Sequence, residues 1–136
     1  MSKVQGKCLC GRIEMAIEKS NYLILACHCG MCRRQAGGPI HWLSEVQANR
    51  IEIIRGKEFI STYQSSKTTE RSFCRNCGTI LFWRKLKENL YCANAELFDE
   101  VIENGKMVTE FFYDRKPDYY AYQQETKKLD SSYQKI

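Results

Sequence analysis

Short stretches of alternating apolar and polar residues recur along the chain and predict β-strands. Over residues 12–18, Ile13, Met15 and Ile17 fall on one face of an extended segment. This period of two indicates a strand with one buried face. The other predicted strands cover residues 22–26, 40–43, 50–55, 58–63, 68–73, 79–84, 90–93 and 107–113. So many short strands indicate an all-β domain of mainly antiparallel sheets, with one short helix over residues 96–102.

The end of the chain has a different composition. Residues 123–136 are mostly polar, and we expect them to fray. No internal repeat or linker precedes them, and a length of 136 residues fits one domain. We therefore predict a single domain over residues 1–122 and a polar C-terminal tail over residues 123–136.

Composition narrows the class of protein. Hydrophobic residues make up 43% of the chain and charged residues 27%, which is a soluble globular balance. The net charge of +5 comes from scattered bases, which argues against nucleic-acid binding and is compatible with small acidic ligands. The longest apolar run, residues 22–27, is far shorter than the roughly 20 residues of a membrane helix. The expected partner is a small molecule, and a homo-oligomer is compatible with the sequence.

The expected cellular compartment decides how the cysteines are interpreted. Residues 1–7 lack the apolar stretch of a signal peptide, so we expect a cytoplasmic protein. Eight cysteines in a reducing cytosol indicate metal binding or catalysis rather than disulfides.

Four of the cysteines form two pairs with metal-ligand spacing. Cys74 and Cys77 are spaced as in a zinc knuckle, and Gly78 permits the tight turn that follows them. Cys8 and Cys10 share one face of an extended segment, so both sulfur atoms can point to the same ion. We call these residues the four-cysteine group and predict that it holds a structural zinc, closing a long loop.

Three further cysteines lie within six residues: Cys27, Cys29 and Cys32, the three-cysteine group. Three protein ligands with an open fourth position are typical of a catalytic zinc, whereas four ligands are typical of a structural one. The open site is favoured, but a closed site stays an alternative. Its candidate fourth ligands are His28, His41 and Cys92, although a cysteine in a strand such as residues 90–93 is more often a core residue.

The ligand type predicts the chemistry of an open site. Zinc with three thiolates carries a net charge of −1, which weakens its activation of water. Such a site suits a soft sulfur ligand, and a bound thiol would ionise there. We therefore expect chemistry on a thiol or a thiol adduct rather than peptide hydrolysis.

These motifs resemble the glutathione-dependent formaldehyde-activating enzyme family, which also includes centromere protein V. The matching segments are residues 6–11, 27–33, 37–39, 71–82 and 116–119. The resemblance implies a β-tent zinc-binding fold and carbon–sulfur lyase chemistry on a glutathione adduct. It also implies two zinc ions per chain. The structural ligands would be Cys8, Cys10, Cys74 and Cys77, the catalytic-zinc ligands would be Cys27, Cys29 and Cys32, and Cys92 matches no ligand.

Several other side chains are weaker candidates. Arg33, Arg34 and Arg84 could bind the carboxylates of glutathione, since arginine suits carboxylates, but solvated surface is the commoner role. Aromatic and titratable side chains elsewhere in the chain are candidates too, although their spacing does not single them out. Trp42, Phe82 and Trp83 could wall an apolar pocket or belong to the core, and His41 and Asp114 are conceivable proton carriers.

Three hypotheses about the function follow. The leading hypothesis is a zinc-dependent carbon–sulfur lyase acting on an S-hydroxymethyl-type adduct of glutathione or another thiol. The alternative is a non-catalytic zinc-binding module that contacts nucleic acid or protein. A third hypothesis, thiol or metal buffering, predicts easy loss of zinc from one site only.

Overall fold

The computed structural model describes residues 2–136 and consists mainly of short strands. In chain order these are β1 (Lys3–Lys7), β2 (Glu14–Glu18), β3 (Leu23–Cys27), β4 (Ile40–Leu43), β5 (Val46–Gln47), β6 (Ile51–Arg55), β7 (Ile60–Gln64), β8 (Thr69–Cys74), β9 (Ile80–Lys85), β10 (Leu90–Ala93), β11 (Lys106–Phe111) and β12 (Lys127–Lys128). Two helices, α1 (Gly30–Ala36) and α2 (Asp99–Asn104), interrupt them. Every strand predicted from the sequence is present within a few residues of its expected bounds.

The strands form three sheets. Their orders are β1-β2-β6, β5-β10-β9-β8-β7 and β12-β11-β3-β4. Strand β11 is parallel to β3 and β12, and every other pair is antiparallel. The predicted class, mainly antiparallel all-β, is therefore confirmed.

The main core lies between the first two sheets and α2. Ile13, Met15 and Ile17 are all buried, as the alternation predicted. They pack in one cluster with Leu81 and Phe98, among others. Gly6 of β1 is required by this packing, because a Cβ atom there would lie 2.6 Å from the carbonyl oxygen of Leu97.

Helix formation was predicted in one place and missed in another. The expected helical segment at residues 96–102 is a 3-10 turn, Ala95–Leu97, followed by α2. Helix α1 was not expected. Its N-cap is Cys29, whose sulfur accepts a hydrogen bond from the amide of Cys32 at 3.3 Å, and it ends at Gly37, where φ is 78°. Cysteine is an uncommon capping residue, so the usual start signal was absent.

The expectation that residues 123–136 fray is wrong. Strand β12 pairs with β11, and the Leu129 side chain is buried with 8% exposure. The Tyr133 ring packs on the rings of Phe111 and Phe112 at centroid distances of 6.0 and 5.9 Å. A few apolar side chains in a polar segment are enough to dock it. The division of the chain at residue 122 stays a prediction.

Within residues 2–136, no helix combines the length and hydrophobicity that a membrane crossing requires.

Candidate metal centres and their surroundings

The four-cysteine group is assembled from two hairpins. The loop between β1 and β2 supplies Cys8 and Cys10. Cys74 ends β8, and Cys77 lies in the turn between β8 and β9. All four sulfur atoms lie within 4.8 Å of one another. The Cys8 and Cys10 sulfurs are 3.6 Å apart, and those of Cys10 and Cys74 are 3.9 Å apart. Tetrahedral zinc with 2.3 Å bonds requires a sulfur separation of about 3.8 Å, so the group fits such an ion.

Hydrogen bonds favour anionic sulfur at Cys10 and Cys77, whereas burial raises the pKa of Cys74. The amide of Ile13 donates to the Cys8 sulfur at 3.4 Å. A backbone hydrogen bond from Arg12 lowers the pKa of Cys10 to about 7. Burial opposes ionisation of Cys77, but hydrogen bonds from Thr79 and other donors lower its pKa to about 5. Such thiolates bind a soft divalent cation readily.

The three-cysteine group surrounds the start of α1. Cys27 ends β3, Cys29 caps the helix and Cys32 lies in its first turn. Their sulfur atoms lie within 4.8 Å of one another, and none of the three residues is more than 9% exposed. The apolar residues packed around them are Ile40, Ile80, Trp42, Trp83, Cys92 and Phe112. The group is thus a sulfur-lined site in an apolar setting.

The three sulfur atoms share negative charge unequally. Hydrogen bonds from Cys27 and Cys32 lower the pKa of Cys29 to about 2. The hydrogen bond with Cys29 raises the pKa of Cys27 in turn. A divalent cation would replace the shared protons and stabilise all three thiolates, so the donor set fits a zinc ion with three cysteine ligands.

No fourth ligand joins the three-cysteine group among the histidine, cysteine and acidic side chains of residues 2–136. The buried His28 points elsewhere: its Nε2 donates to Glu110 Oε1 at 2.8 Å, and its Nδ1 accepts from the Tyr120 hydroxyl at 2.8 Å. Burial lowers the pKa of His28, which favours the neutral ring that this pattern requires. Both ring nitrogens are therefore occupied.

The other two candidate fourth ligands are also engaged or buried elsewhere. The His41 Nδ1 donates to Glu96 Oε2 at 2.9 Å, and its Nε2 accepts from the Tyr122 hydroxyl at 2.6 Å. Cys92 is a core residue beside the group, where burial raises its pKa to about 12. Among residues 2–136, the three-cysteine group therefore gathers three sulfur donors.

Arg71 is a site residue that the sequence analysis missed. It lies on β8 with 7% exposure. Its Nη2 donates to the Cys32 sulfur at 3.4 Å, and its Nη1 donates to Gln35 Oε1 at 3.0 Å. Strand alternation places Arg71 and Phe73 on one face of β8, but no local pattern could show that Cys32, 39 positions away, would meet it.

The three predicted arginines are not brought together. Arg33 is half-buried on α1 and its Nε donates to the His28 carbonyl at 2.9 Å, while Arg34 on the same helix is exposed. Arg84 pairs with Glu70 at 3.4 Å. It follows Trp83, which packs on the three-cysteine group, so it faces the other side of the sheet.

The side of the sheet that Arg84 faces carries a separate cleft. This cleft has a volume of about 410 Å³, and Phe82 and Tyr91 line it together with Arg84. The Phe82 ring also belongs to the main core. Of the three aromatic residues suggested for a pocket wall, only Trp42 and Trp83 lie beside the three-cysteine group, with ring centroids 6.4 Å apart.

Asp114 lies at the docked C-terminal segment. It accepts a hydrogen bond from the Ser131 hydroxyl at 2.7 Å, and this bond lowers the pKa of the exposed carboxyl group. Nothing in these contacts connects Asp114 to the three-cysteine group.

Comparisons with known proteins agree with this architecture. A fission yeast protein, an uncharacterized lyase of Schizosaccharomyces pombe, is 33% identical over 127 residues, covering 93% of this chain and 90% of the relative. A Halomonas elongata protein named as a candidate glutathione-dependent formaldehyde-activating enzyme is 27% identical over 85 residues, covering 58% of this chain and 54% of the relative.

A solved structure shares the fold, and a family model matches most of the chain. The crystal structure of a Rhodobacter sphaeroides protein superposes with a TM-score of 0.59 at 26% identity, covering 68% of this chain and 85% of that one. The family model described as glutathione-dependent formaldehyde-activating enzyme matches residues 3–115. The matched region contains both cysteine groups, and the chain belongs to the glutathione-dependent formaldehyde-activating enzyme family, as its motifs predicted.

Proposed function

We propose that this protein is a zinc-dependent carbon–sulfur lyase acting on an S-hydroxymethyl-type adduct of glutathione or a similar thiol. The difference between the two cysteine groups carries the proposal. The four-cysteine group offers a complete tetrahedral ligand set, whereas the three-cysteine group offers three ligands. An incomplete ligand set leaves a coordination position for a substrate atom.

The proposed reaction splits the adduct into two products and needs no further reactant. Cleavage breaks the carbon–sulfur bond of the adduct, the hydroxyl proton leaves as the carbonyl forms, and the sulfur atom takes up one proton. The products are a free thiol and formaldehyde, and the reverse direction joins them. A zinc ion at the three-cysteine group would supply a Lewis acid that favours the thiolate form of the substrate sulfur.

The residues of the chain have separate roles in this proposal. Cys27, Cys29 and Cys32 hold the metal. The indole rings of Trp42 and Trp83 keep the surroundings apolar, which strengthens electrostatic interactions at the reacting atoms. The short helix α1 then presents Arg33 and Arg34 next to the site, where they would bind the carboxylates of glutathione. Arg84 has no part in this, since it faces the separate cleft.

The four-cysteine group would hold a structural zinc. Its ligands come from segments far apart in the chain, so the ion would act as a crosslink. All eight cysteines are free in the structure, which suits a reducing compartment, and we include a cytoplasmic location in the proposal.

The test compares metal content and thiol response in wild type and one variant. Wild type should bind two zinc ions per chain, and Cys29→Ser should keep its fold and one ion. In a cobalt-substituted sample, glutathione should shift the sulfur-to-metal absorption of wild type and leave that of Cys29→Ser unchanged. Cys92→Ala is the matched control, because Cys92 is a buried cysteine beside the same group, and it should behave as wild type.

Two outcomes would count against the lyase. Unfolding of Cys29→Ser would make the three-cysteine group a structural site. A wild-type protein with two metals and no response to any thiol would favour a non-catalytic module, and nucleic-acid filter binding at several salt concentrations would then identify one class of partner. If the absorption of the wild-type protein does respond to glutathione, release of formaldehyde from the glutathione adduct is the activity to assay.

A further inference from the structure

Arg71 is a buried cation without a carboxylate partner. It is 7% exposed, and it forms no ion pair in the described part of the chain. Arg84, on the next strand of the same sheet, also has a buried Nε without a hydrogen-bond partner, but its guanidinium pairs with Glu70 at 3.4 Å. A buried guanidinium is costly unless an opposite charge lies near it. The anionic partner of Arg71 therefore has to be another group.

The hydrogen bonds of Arg71 identify that group. Its Nη2 donates to the Cys32 sulfur, and its Nη1 is held by the Gln35 side chain on α1. The Nε atom is buried and has no hydrogen-bond partner. Because Nε and Nη2 lie on the same edge of the guanidinium, this edge faces the Cys32 side with one donor still free. The available partners of the cation are therefore the sulfur atoms of the three-cysteine group.

The charge of Arg71 would balance the net charge of a metal bound at the three-cysteine group. Three thiolates and one divalent ion carry a net charge of −1, and one guanidinium balances it. We propose that Arg71 is a positioning residue, the fixed counter-ion of the metal site that Cys27, Cys29 and Cys32 form. It orients Cys32 and makes the affinity of this site for metal depend on a buried positive charge. The inference rests on the proposed function, since it requires a metal at the three-cysteine group.

Metal binding by the 136-residue chain tests whether Arg71 is this counter-ion. Cobalt(II) affinity would be measured at each site by competition with a chelator in wild type, Arg71→Met and Arg71→Lys. Arg71→Met removes the guanidinium and its charge but keeps a chain about as long as the aliphatic part of arginine. It should weaken cobalt binding at the three-cysteine group by about 10- to 100-fold, as loss of an outer-shell partner does at metal sites. It should also shift the sulfur-to-cobalt absorption of that site. The four-cysteine group should keep its affinity.

Two variants separate charge from structure. Arg71→Lys keeps the charge and should recover most of the lost affinity. Arg55→Met removes an exposed arginine of β6, which pairs with Glu14, and is the control for net charge. It should bind cobalt as wild type does. If Arg71→Met does not fold, Gln35→Ala tests the positioning of the guanidinium, because it removes the acceptor of Nη1 and should weaken cobalt binding at the three-cysteine group several-fold.

The outcomes distinguish this inference from the proposed function. Wild-type affinity and absorption in Arg71→Met would overturn the counter-ion role and leave the lyase proposal standing. An equal loss in Arg71→Met and Arg71→Lys would also overturn it, because charge would then not be the cause. A wild-type chain that binds metal only at the four-cysteine group would overturn both.

Discussion

The Nε2 atom of His28 lies 2.8 Å from Oε1 of Glu110, and both side chains are buried. His28 stands between two members of the three-cysteine group, and Glu110 lies on β11, a central strand of its sheet. Glu110 also accepts a hydrogen bond from the Thr126 hydroxyl, and the ammonium of Lys128 is 3.7 Å from its other oxygen. One carboxylate thus joins the cysteine loop to the C-terminal segment.

Removing this carboxylate should destabilise the fold. Glu110→Ala leaves the Nε2–H of the neutral His28 ring and the Thr126 hydroxyl without their acceptor. Each unsatisfied donor costs about 1–3 kcal/mol, and we expect the free energy of unfolding to fall by about 2–5 kcal/mol. Glu110→Gln should cost less, because its amide oxygen can still accept a hydrogen bond. Urea denaturation of the three proteins measures the difference. A Glu110→Ala variant as stable as wild type would show that the contacts of Glu110 do not stabilise the fold.

Local patterns predicted the two cysteine groups and most of the strands. Two thiolates at i and i+3 in a turn, or at i and i+2 in an extended segment, can reach one ion whatever surrounds them. Alternation likewise identifies Ile13, Met15 and Ile17 as core from neighbouring residues alone. Such features depend on short-range geometry, which the sequence shows directly.

Features set by distant contacts were not predictable. Arg71 reads as an ordinary polar strand residue until Cys32 is placed against it. The docking of residues 123–136 depends on the buried Leu129, whose backbone bonds Glu110 and Tyr113, and on Tyr133, whose ring packs on Phe111 and Phe112. Because most residues of the segment are polar, its overall composition gives no sign of these two side chains. The face that Arg84 occupies was not predictable either, because it depends on which side of the sheet packs against the three-cysteine group.

The docked C-terminal segment should contribute to stability. Ending the chain after residue 122 removes the buried Leu129, the Thr126 hydrogen bond and the Tyr133 contact, and we expect a loss of about 3 kcal/mol or more. Leu129→Ala in the full chain should account for about 2–3 kcal/mol of it. Thermal and urea unfolding measure both. A truncated chain as stable as wild type would mean that the segment is only loosely attached.

Loss of a metal from the four-cysteine group should lower the stability of the fold far more than loss of a metal from the three-cysteine group. Cys10 and Cys74 are 64 positions apart, and a crosslink over such a loop is worth about 3–5 kcal/mol. Cys77→Ser should therefore lower the melting temperature by about 10–20 °C, whereas Cys29→Ser should have a small effect. Calorimetry of the two variants, with metal content measured in parallel, checks this. Equal losses would contradict the division into a structural and an open site.

Cys92 should be chemically inert in the folded protein. Burial raises its pKa to about 12, so almost no thiolate forms near pH 8, and the side chain is 3% exposed. We expect iodoacetamide to leave Cys92 unmodified in the folded chain and to label it after unfolding in urea, as followed by peptide mass spectrometry. Cys92→Ala should cost about 1 kcal/mol and keep two metals per chain. Labelling of Cys92 before unfolding, or loss of one metal in Cys92→Ala, would contradict its assignment to the core.

Tyr22 should make stability depend on alkaline pH. Its hydroxyl donates to Glu100 Oε2 at 2.6 Å, and burial together with this carboxylate raises its pKa to about 12. The unfolded chain loses the proton near pH 10, whereas the folded chain keeps it. The stabilisation is therefore complete below pH 10 and is lost as the pH rises from 10 to 12.

Comparison with phenylalanine variants isolates this effect. At pH 8, Tyr22→Phe should lower the free energy of unfolding by about 1–3 kcal/mol, because Glu100 loses a donor. The gap between wild type and variant should shrink as urea denaturation is repeated at pH 10, 10.5 and 11 in the presence of a reductant. Tyr63→Phe is the control, since Tyr63 is 65% exposed on β7 and should show no such change. A gap that stays constant to pH 11 would mean that Tyr22 titrates alike in the folded and unfolded chains, and that the contact with Glu100 does not hold its proton.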